Sequence, residues 1–310
     1  MLQVNNLHKK FKTITAVNGI NLYLEQGESV GLLGPNGAGK STAISMISTL
    51  LTPTSGDVLF KGQDVLKQPD VLRPVLGVVP QEIALYEELT AYENMLFFGK
   101  TYGLSGKKLK RKIDEVLELV GLTERKKERI KNYSGGMKRR INIAVSLMHE
   151  PEVLIMDEPT VGIDPQSRSY ILEMVRELNR NKGMSILYTS HYMEEVEKLC
   201  DRVYIMDHGQ IIASGTKEEL KSILSSEDTI LIEVQQKSDQ LINHLNEHAL
   251  IQQVAEVDQG YKVIVGKGAD VFADIFEIAN KCQVKVRGVH IQTPTLEDVF
   301  LHLTGRKLRD

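Results

Sequence analysis

Cysteine is nearly missing from this chain: Cys200 and Cys282 are the only two. They lack metal-ligand spacing, and they read as buried free thiols in a reducing compartment. Long apolar runs are missing as well. None reaches the roughly 18 residues that a membrane-crossing helix needs, so the chain is expected not to span a bilayer by itself. No basic segment followed by an apolar core marks a signal peptide at the start. Charge of one sign is not in excess either, since a net charge of −3 exerts no general pull toward nucleic acid or anionic lipid. The local basic runs Lys107–Lys112 and Arg125–Lys131 read as solvated helix faces. What remains is a soluble, cytosolic protein. Its 310 residues, 42% of them hydrophobic, suit one large domain or one domain with an appendage.

The first 33 residues read as short strands and turns. One begins at Leu2-Gln3-Val4, another at the alternating Ile20-Asn21-Leu22-Tyr23-Leu24, ahead of a turn at Glu25–Glu28. Ser29–Leu33 is an apolar run of strand length, and Ser41–Leu51 has helical spacing. From about Leu85 to Glu150 the pattern is almost wholly helical. Its clearest stripe is Ile113, Val116, Leu117 and Val120, stopped by Gly121. Buried-strand runs return at Val153–Met156 and Met184–Tyr188, with an amphipathic helix of about Gln166–Asn181 between them. That alternation predicts a mostly parallel sheet with helical crossovers. Ser222–Asp228, polar and serine-rich, reads as a linker. Beyond it the order is strand, helix, strand, strand, helix, strand, ending at Val284–His290, which fits a small ferredoxin-like α+β unit.

Gly34-Pro35-Asn36-Gly37-Ala38-Gly39-Lys40-Ser41-Thr42 is a complete G-x-x-x-x-G-K-[ST] phosphate loop between a strand and a helix. Its glycines let the backbone curl so that successive N–H groups point at phosphate oxygens, and the helix start adds its positive end. Lys40 can reach the β- and γ-phosphates, and Ser41 can offer its hydroxyl to Mg²⁺. Asp157-Glu158 closes the strand run at Val153–Met156, where open α/β sheets place their ligands. Asp157 suits a metal-bound water, and Glu158 suits the water that attacks the γ-phosphate. An acidic strand end capping the next turn is the plainer alternative for this pair.

These motifs, in this order, resemble the ATP-binding subunit of an ABC transporter over about residues 1–220. The resemblance implies an α/β P-loop NTPase core: a RecA-like, mostly parallel sheet, an N-terminal antiparallel β subdomain, and a helical subdomain at about residues 85–150. The ATP-binding domain would span residues 1–222, and the C-terminal α+β ferredoxin-like domain residues 229–310. Ser134-Gly135-Gly136 matches the family signature that completes the site of a facing subunit, so a head-to-tail homodimer is implied. Gln81 matches the Q-loop, which senses Mg²⁺ and couples to the membrane partner through the segment about Leu85–Asn94. His191 matches the switch histidine, expected at the γ-phosphate. Val161–Asp164 matches the D-loop, although Asp164 before Pro165 is equally a plain helix cap. Phe11 matches the aromatic that stacks on adenine, with core packing as its alternative, and Val17 would border the same ring. Met137 departs from the glutamine frequent at its position.

A finer resemblance lies at Thr293–Leu301. With the α+β unit before it, this segment is similar to bacterial exporters of the drug- and antibiotic-resistance type (ABC-2). Their membrane domain is a separate polypeptide, so a transmembrane permease partner, and a place on the cytoplasmic face of the membrane, are implied. ATP and Mg²⁺ are the expected cofactors, and no nucleic acid is expected. A soluble ABC-type ATPase acting on ribosomes or DNA is the alternative, disfavoured because such proteins commonly carry two cassettes or a long coiled-coil insertion. A small-molecule P-loop kinase would use Lys40 and Ser41 but explains neither Ser134-Gly135-Gly136 nor His191.

Overall fold

The computed structural model describes residues 1–224, 227–292 and 294–304. Two compact units divide between Lys217 and Glu218. Ser225 and Ser226 of the expected linker, Thr293 of the C-terminal motif and the end beyond Thr304 lie outside the described residues.

The first unit opens with β1 (Leu2–Phe11), β2 (Ile14–Leu24), β3 (Ser29–Leu33) and α1 (Lys40–Ile47). Next come β4 (Ser55–Phe60), β5 (Gln63–Asp64) and β6 (Leu76–Val79), then α2 (Ala91–Thr101), α3 (Gly106–Leu119) and α4 (Gly135–Ser146). It continues with β7 (Val153–Asp157), α5 (Pro165–Lys182), β8 (Ser185–Ser190), α6 (Met193–Leu199), β9 (Arg202–Asp207) and β10 (Gln210–Thr216). An antiparallel sheet runs β2-β1-β4-β5, and a six-stranded sheet runs β10-β9-β3-β8-β7-β6. In the latter, β3, β6, β7, β8 and β9 are parallel and β10 is an antiparallel edge. Strands β3, β7 and β8 are buried at every residue, which is why they read as unbroken apolar runs and not as alternation.

Several expectations are corrected. β2 starts at Ile14, six residues before the alternation that was read as its beginning, because a tight turn at Lys12-Thr13 pairs Phe11 directly with Ile14. Lys12 takes φ +45 in that turn. Helix α1 ends at Ile47, short of Leu51. The stretch about Leu85–Glu150 is not continuous helix. Residues 85–89 precede α2, which begins at a Thr90–Glu93 capping box, and only single 3₁₀ turns fill residues 123–132. Cys200 is buried but Cys282 only partly so. In the first basic run Lys107, Lys108, Lys110 and Arg111 are exposed, as a solvated face requires, but Lys112 is buried between Glu115 and Glu150. In the second, Lys126 pairs with Asp114 and Lys131 with Glu88.

Helix α7 (Lys217–Ser222) begins on the last residue of the first unit, and the second unit continues with β11 (Glu227–Val234), α8 (Asp239–Asn246), β12 (Ile251–Val257), β13 (Gly260–Gly266), α9 (Phe272–Lys281), β14 (Val286–Gln292) and α10 (Leu296–Thr304). Its sheet is antiparallel in the order β12-β13-β11-β14, the ferredoxin-like arrangement. Ile230, Ile232, Tyr261, Val263 and Val265 face Leu241, Leu245 and Ile275 of α8 and α9 in one core. The buried Tyr261 hydroxyl accepts from Ser238 N at 2.6 Å and donates to Ser238 O at 3.0 Å, pinning the start of α8. Tyr261→Phe strands both backbone groups and should cost about 1–3 kcal/mol. Hydrogen exchange on β13 should show lost protection, and wild-type protection there would contradict this.

Candidate active site

Parallel register fixes the site. β3 and β8 align Leu33 with Ser190, and β8 and β7 align Thr189 with Asp157. β7 and β6 align Met156 with Val79. The residues just past these strand ends are therefore Gly34, His191, Glu158 and Pro80, with Gln81 next after Pro80, all at the carboxyl edge of one sheet. That is where open α/β sheets bind ligands.

The phosphate loop leaves β3 and enters α1 through Gly39, at φ +105. A Cβ on Gly39 would collide with the carbonyl oxygen of Ala16, and one on Gly34 with that of Met206, so both positions require glycine. A cavity of about 270 Å³ is lined by residues 35–42 of the loop with Ala16, Gln81 and Glu158. The Lys40 ammonium, 5% exposed, donates to Gly34 O at 2.7 Å and Pro35 O at 3.2 Å, and pairs with Glu158 Oε1 at 3.1 Å. The other Glu158 oxygen meets His191 Nδ1 at 3.1 Å. Lysine, carboxylate and imidazole thus form one continuous chain of contacts.

Glu158 sits at φ +43, a left-handed conformation that costs a non-glycine residue energy. Thr189 helps to hold it there. Its hydroxyl accepts from Glu158 N at 2.9 Å and donates to Asp157 Oδ1 at 2.8 Å, so one buried side chain orients both acids. Nothing in the local sequence distinguishes Thr189; its role exists only through strand pairing.

Ser134, Gly135, Gly136 and Asp164 do not line this cavity and form a second cluster. Ser134 caps α4 by accepting from Met137 N at 3.3 Å. Gly136 has no room for a side chain against Ser167, and Asp164 caps α5 by accepting from Ser167 N at 2.9 Å. That backbone N–H holds the Asp164 carboxyl below its usual range. The cap reading of Asp164 therefore holds as local structure.

Phe11 is 45% exposed, so it is not a core residue, and Lys9 Nζ lies 5.0 Å from its ring centroid. Neither Phe11 nor Val17 lines the cavity. Val17 is fully buried in the core, which removes it from any open ring face; its neighbour Ala16 lines the cavity instead. Arg139, one turn into α4, escaped the sequence reading. Its buried guanidinium donates to Pro80 O at 2.7 Å and to Gln81 O, while Asn142 Oδ1 accepts from Ala84 N at 3.1 Å. The helix begun by Ser134 thereby grips the backbone around Gln81. Burial lowers the Arg139 pKa without discharging it.

A phosphate loop after β3, an acid pair ending β7 with β8 between them, and a signature turn on a separate helical segment define a P-loop ATPase of the ATP-binding-cassette class. Residues 17–161 match the ABC transporter family, and residues 215–304 match the C-terminal domain of DrrA1-3-like ATP-binding proteins. The linearmycin resistance ATP-binding protein LnrL of Bacillus subtilis (strain 168) is 48% identical, with 100% of each chain covered. The Nod factor export ATP-binding protein I of Cupriavidus metallidurans is 35% identical, covering 100% of this chain and 99% of that one. Among solved structures, the dimeric post-hydrolysis state of the ATP-binding cassette MJ0796 bound to ADP and Pi superposes with a TM-score of 0.64 at 25% identity. It covers 70% of this chain and 98% of that one. The chain belongs to the ABC transporter family, as one of its ATP-hydrolysing ATP-binding subunits.

Gly39→Ala forces an L-residue to φ +105 against Ala16. The strain, about 1–3 kcal/mol, falls on the loop that holds the phosphates, so nucleotide affinity should drop roughly ten-fold or more. Titration with a fluorescent ATP analogue measures it, and unchanged affinity would contradict this account of the loop.

Proposed function

We propose that this subunit powers an exporter as a head-to-tail homodimer docked on a separate transmembrane permease, on the cytoplasmic face of the membrane. Lys40, Ser41, Gln81, Asp157, Glu158 and His191 of one protomer would face Ser134 and Gly136 of its partner across each ATP. Glu158 acts as the base for the attacking water, and His191, in contact with it, serves the γ-phosphate. Phe11 would offer its exposed ring to adenine, and Asp164 would lie at the dimer interface. The observation that carries this reading is the separation of two half-sites. Lys40, Glu158 and His191 join in one contact chain, while the Ser134–Gly136 turn stands apart from the cavity those residues border. One protomer thus carries a phosphate loop and, apart from it, a signature turn.

Mg²⁺ fits the donor set. The Ser41 hydroxyl, the Asp157 carboxylate and the Gln81 amide oxygen are hard oxygen ligands, which Mg²⁺ combines with waters and substrate phosphates. Bound there, the ion neutralises charge on the phosphate oxygens. Around it, Lys40 balances the phosphates, and Thr189 holds Asp157 and Glu158 in place. The grip of Arg139 on Pro80 and Gln81 gives the helix of the signature turn a route to the Q-loop and to the permease beyond. Export is favoured by the names of the relatives, one a resistance protein and one an export protein. Domain limits of residues 1–222 and 229–310 belong to this proposal, beside compact units that divide between Lys217 and Glu218.

Chelation of Mg²⁺ with EDTA should abolish turnover, measured as phosphate release; hydrolysis at the original rate would remove the metal from the scheme. A tagged copy purified from mild-detergent membranes should carry a stoichiometric polytopic membrane protein. Recovery with ribosomes or nucleic acid would keep the ATPase and overturn the transport reading.

A further inference from the structure

Glu195, on α6 four residues beyond His191, is 2% exposed and touches no part of the phosphate-loop cavity, yet its carboxylate gathers an unusual set of donors. Thr160 Oγ1 lies 2.7 and 2.8 Å from its two oxygens. The Tyr188 hydroxyl and Ser190 Oγ each donate to Oε2 at 2.9 Å, and Arg168 Nε stands 3.5 Å from Oε1. We propose that Glu195 is a positioning residue that ties the switch loop to the D-loop and so sets His191 against Glu158. This rests on the reading of Glu158 and His191 as the reacting pair.

The donors are placed in pairs around two loops. Thr160 and Arg168 bracket Val161–Asp164, one on each side. Tyr188 and Ser190 lie just ahead of His191, and Ser190 Oγ also accepts from Tyr192 N at 2.9 Å, anchoring the backbone beyond it. The Arg168 guanidinium covers the Tyr192 ring at 4.5 Å, and that ring lies 4.2 Å from the imidazole of His191. Thr160, Arg168, Tyr188 and Ser190 all meet on this one carboxylate, and the Arg168–Tyr192 contact is a further link beside it. Burying a carboxylate is costly unless it is fully hydrogen-bonded, and an apolar side chain would fill the same space without that cost. Packing alone therefore does not explain an acid here. Its hydrogen bonds fix hydroxyl directions and, through them, two loops that must move together.

The test is steady-state ATPase kinetics on the full chain, with Glu158→Gln in parallel. Thr160→Val keeps the shape and deletes the hydroxyl on the D-loop side, leaving Arg168; Ser190→Ala deletes one switch-side hydroxyl, leaving Tyr188. Displacing a reacting group by about 1 Å costs up to about a hundred-fold in rate, so kcat should fall about ten- to a hundred-fold in each. KM for ATP should move by no more than about two-fold, because the phosphate cradle is untouched. Thr160→Ser, which restores the hydroxyl, should recover most of the rate, and Glu195→Gln should behave like Thr160→Val. Wild-type kcat in Thr160→Val and Ser190→Ala overturns the proposal. So does an equal loss in Thr160→Val and Thr160→Ser, which would trace the effect to packing. Near wild-type turnover by Glu158→Gln would instead sink the reading of the reacting pair, whatever the Thr160 variants do.

Discussion

The register of three parallel strands is the constraint from which the site follows. Because β8 lies between β3 and β7, Leu33, Ser190, Thr189 and Asp157 end in neighbouring positions, and the chain past each end has one place to go. A one-residue slip in that pairing would turn every side chain to the opposite face and separate the lysine from its acid. The buried pair of Lys40 with Glu158 is a consequence of this register and a weak source of stability, since desolvating both charges offsets much of their attraction. Its value is chemical. In the proposed reading a γ-phosphate would compete for the ammonium that touches Glu158, which would link nucleotide binding to the freedom of the proposed base through one atom.

A second layer of buried contacts ties the loops around the site to one another. Thr189 orients both acids, Arg139 and Asn142 bind the signature helix to the Q-loop backbone, and Glu195 joins the D-loop flanks to the switch flanks. Each is a buried side chain bonded to a neighbouring segment. Packed elements of this kind change arrangement in steps and do not deform gradually, so under the proposed reading a shift at one loop would be passed on whole.

How much of this was legible in the sequence depends on how local the determining contacts are. The phosphate loop was legible because one contiguous run supplies its glycines, lysine and hydroxyl. β7 and β8 were legible because strands buried on both faces read as unbroken apolar runs, and the C-terminal unit because its segments keep clean strand and helix periods. The start of β2 was hidden, since its outer half is exposed and lacks alternation. The Thr90–Glu93 capping box is present in the sequence but sits inside a stretch whose pattern is almost wholly helical. Thr189, Arg139, Ala16 and Glu195 could not be found by local pattern, because their partners lie on other strands and loops. Phe11 and Val17 show the reverse case: one resemblance singled out both, and folding leaves one exposed and buries the other.

The central claim is that the two half-sites of one chain are completed by a second copy around ATP. Light scattering on purified Glu158→Gln, with and without Mg²⁺ and ATP, tests it most directly. The account predicts a monomer without nucleotide and a stable dimer with it, since the variant keeps the cradle and loses the base that would break the shared phosphate. A particle that remains monomeric with ATP demonstrably bound would contradict it.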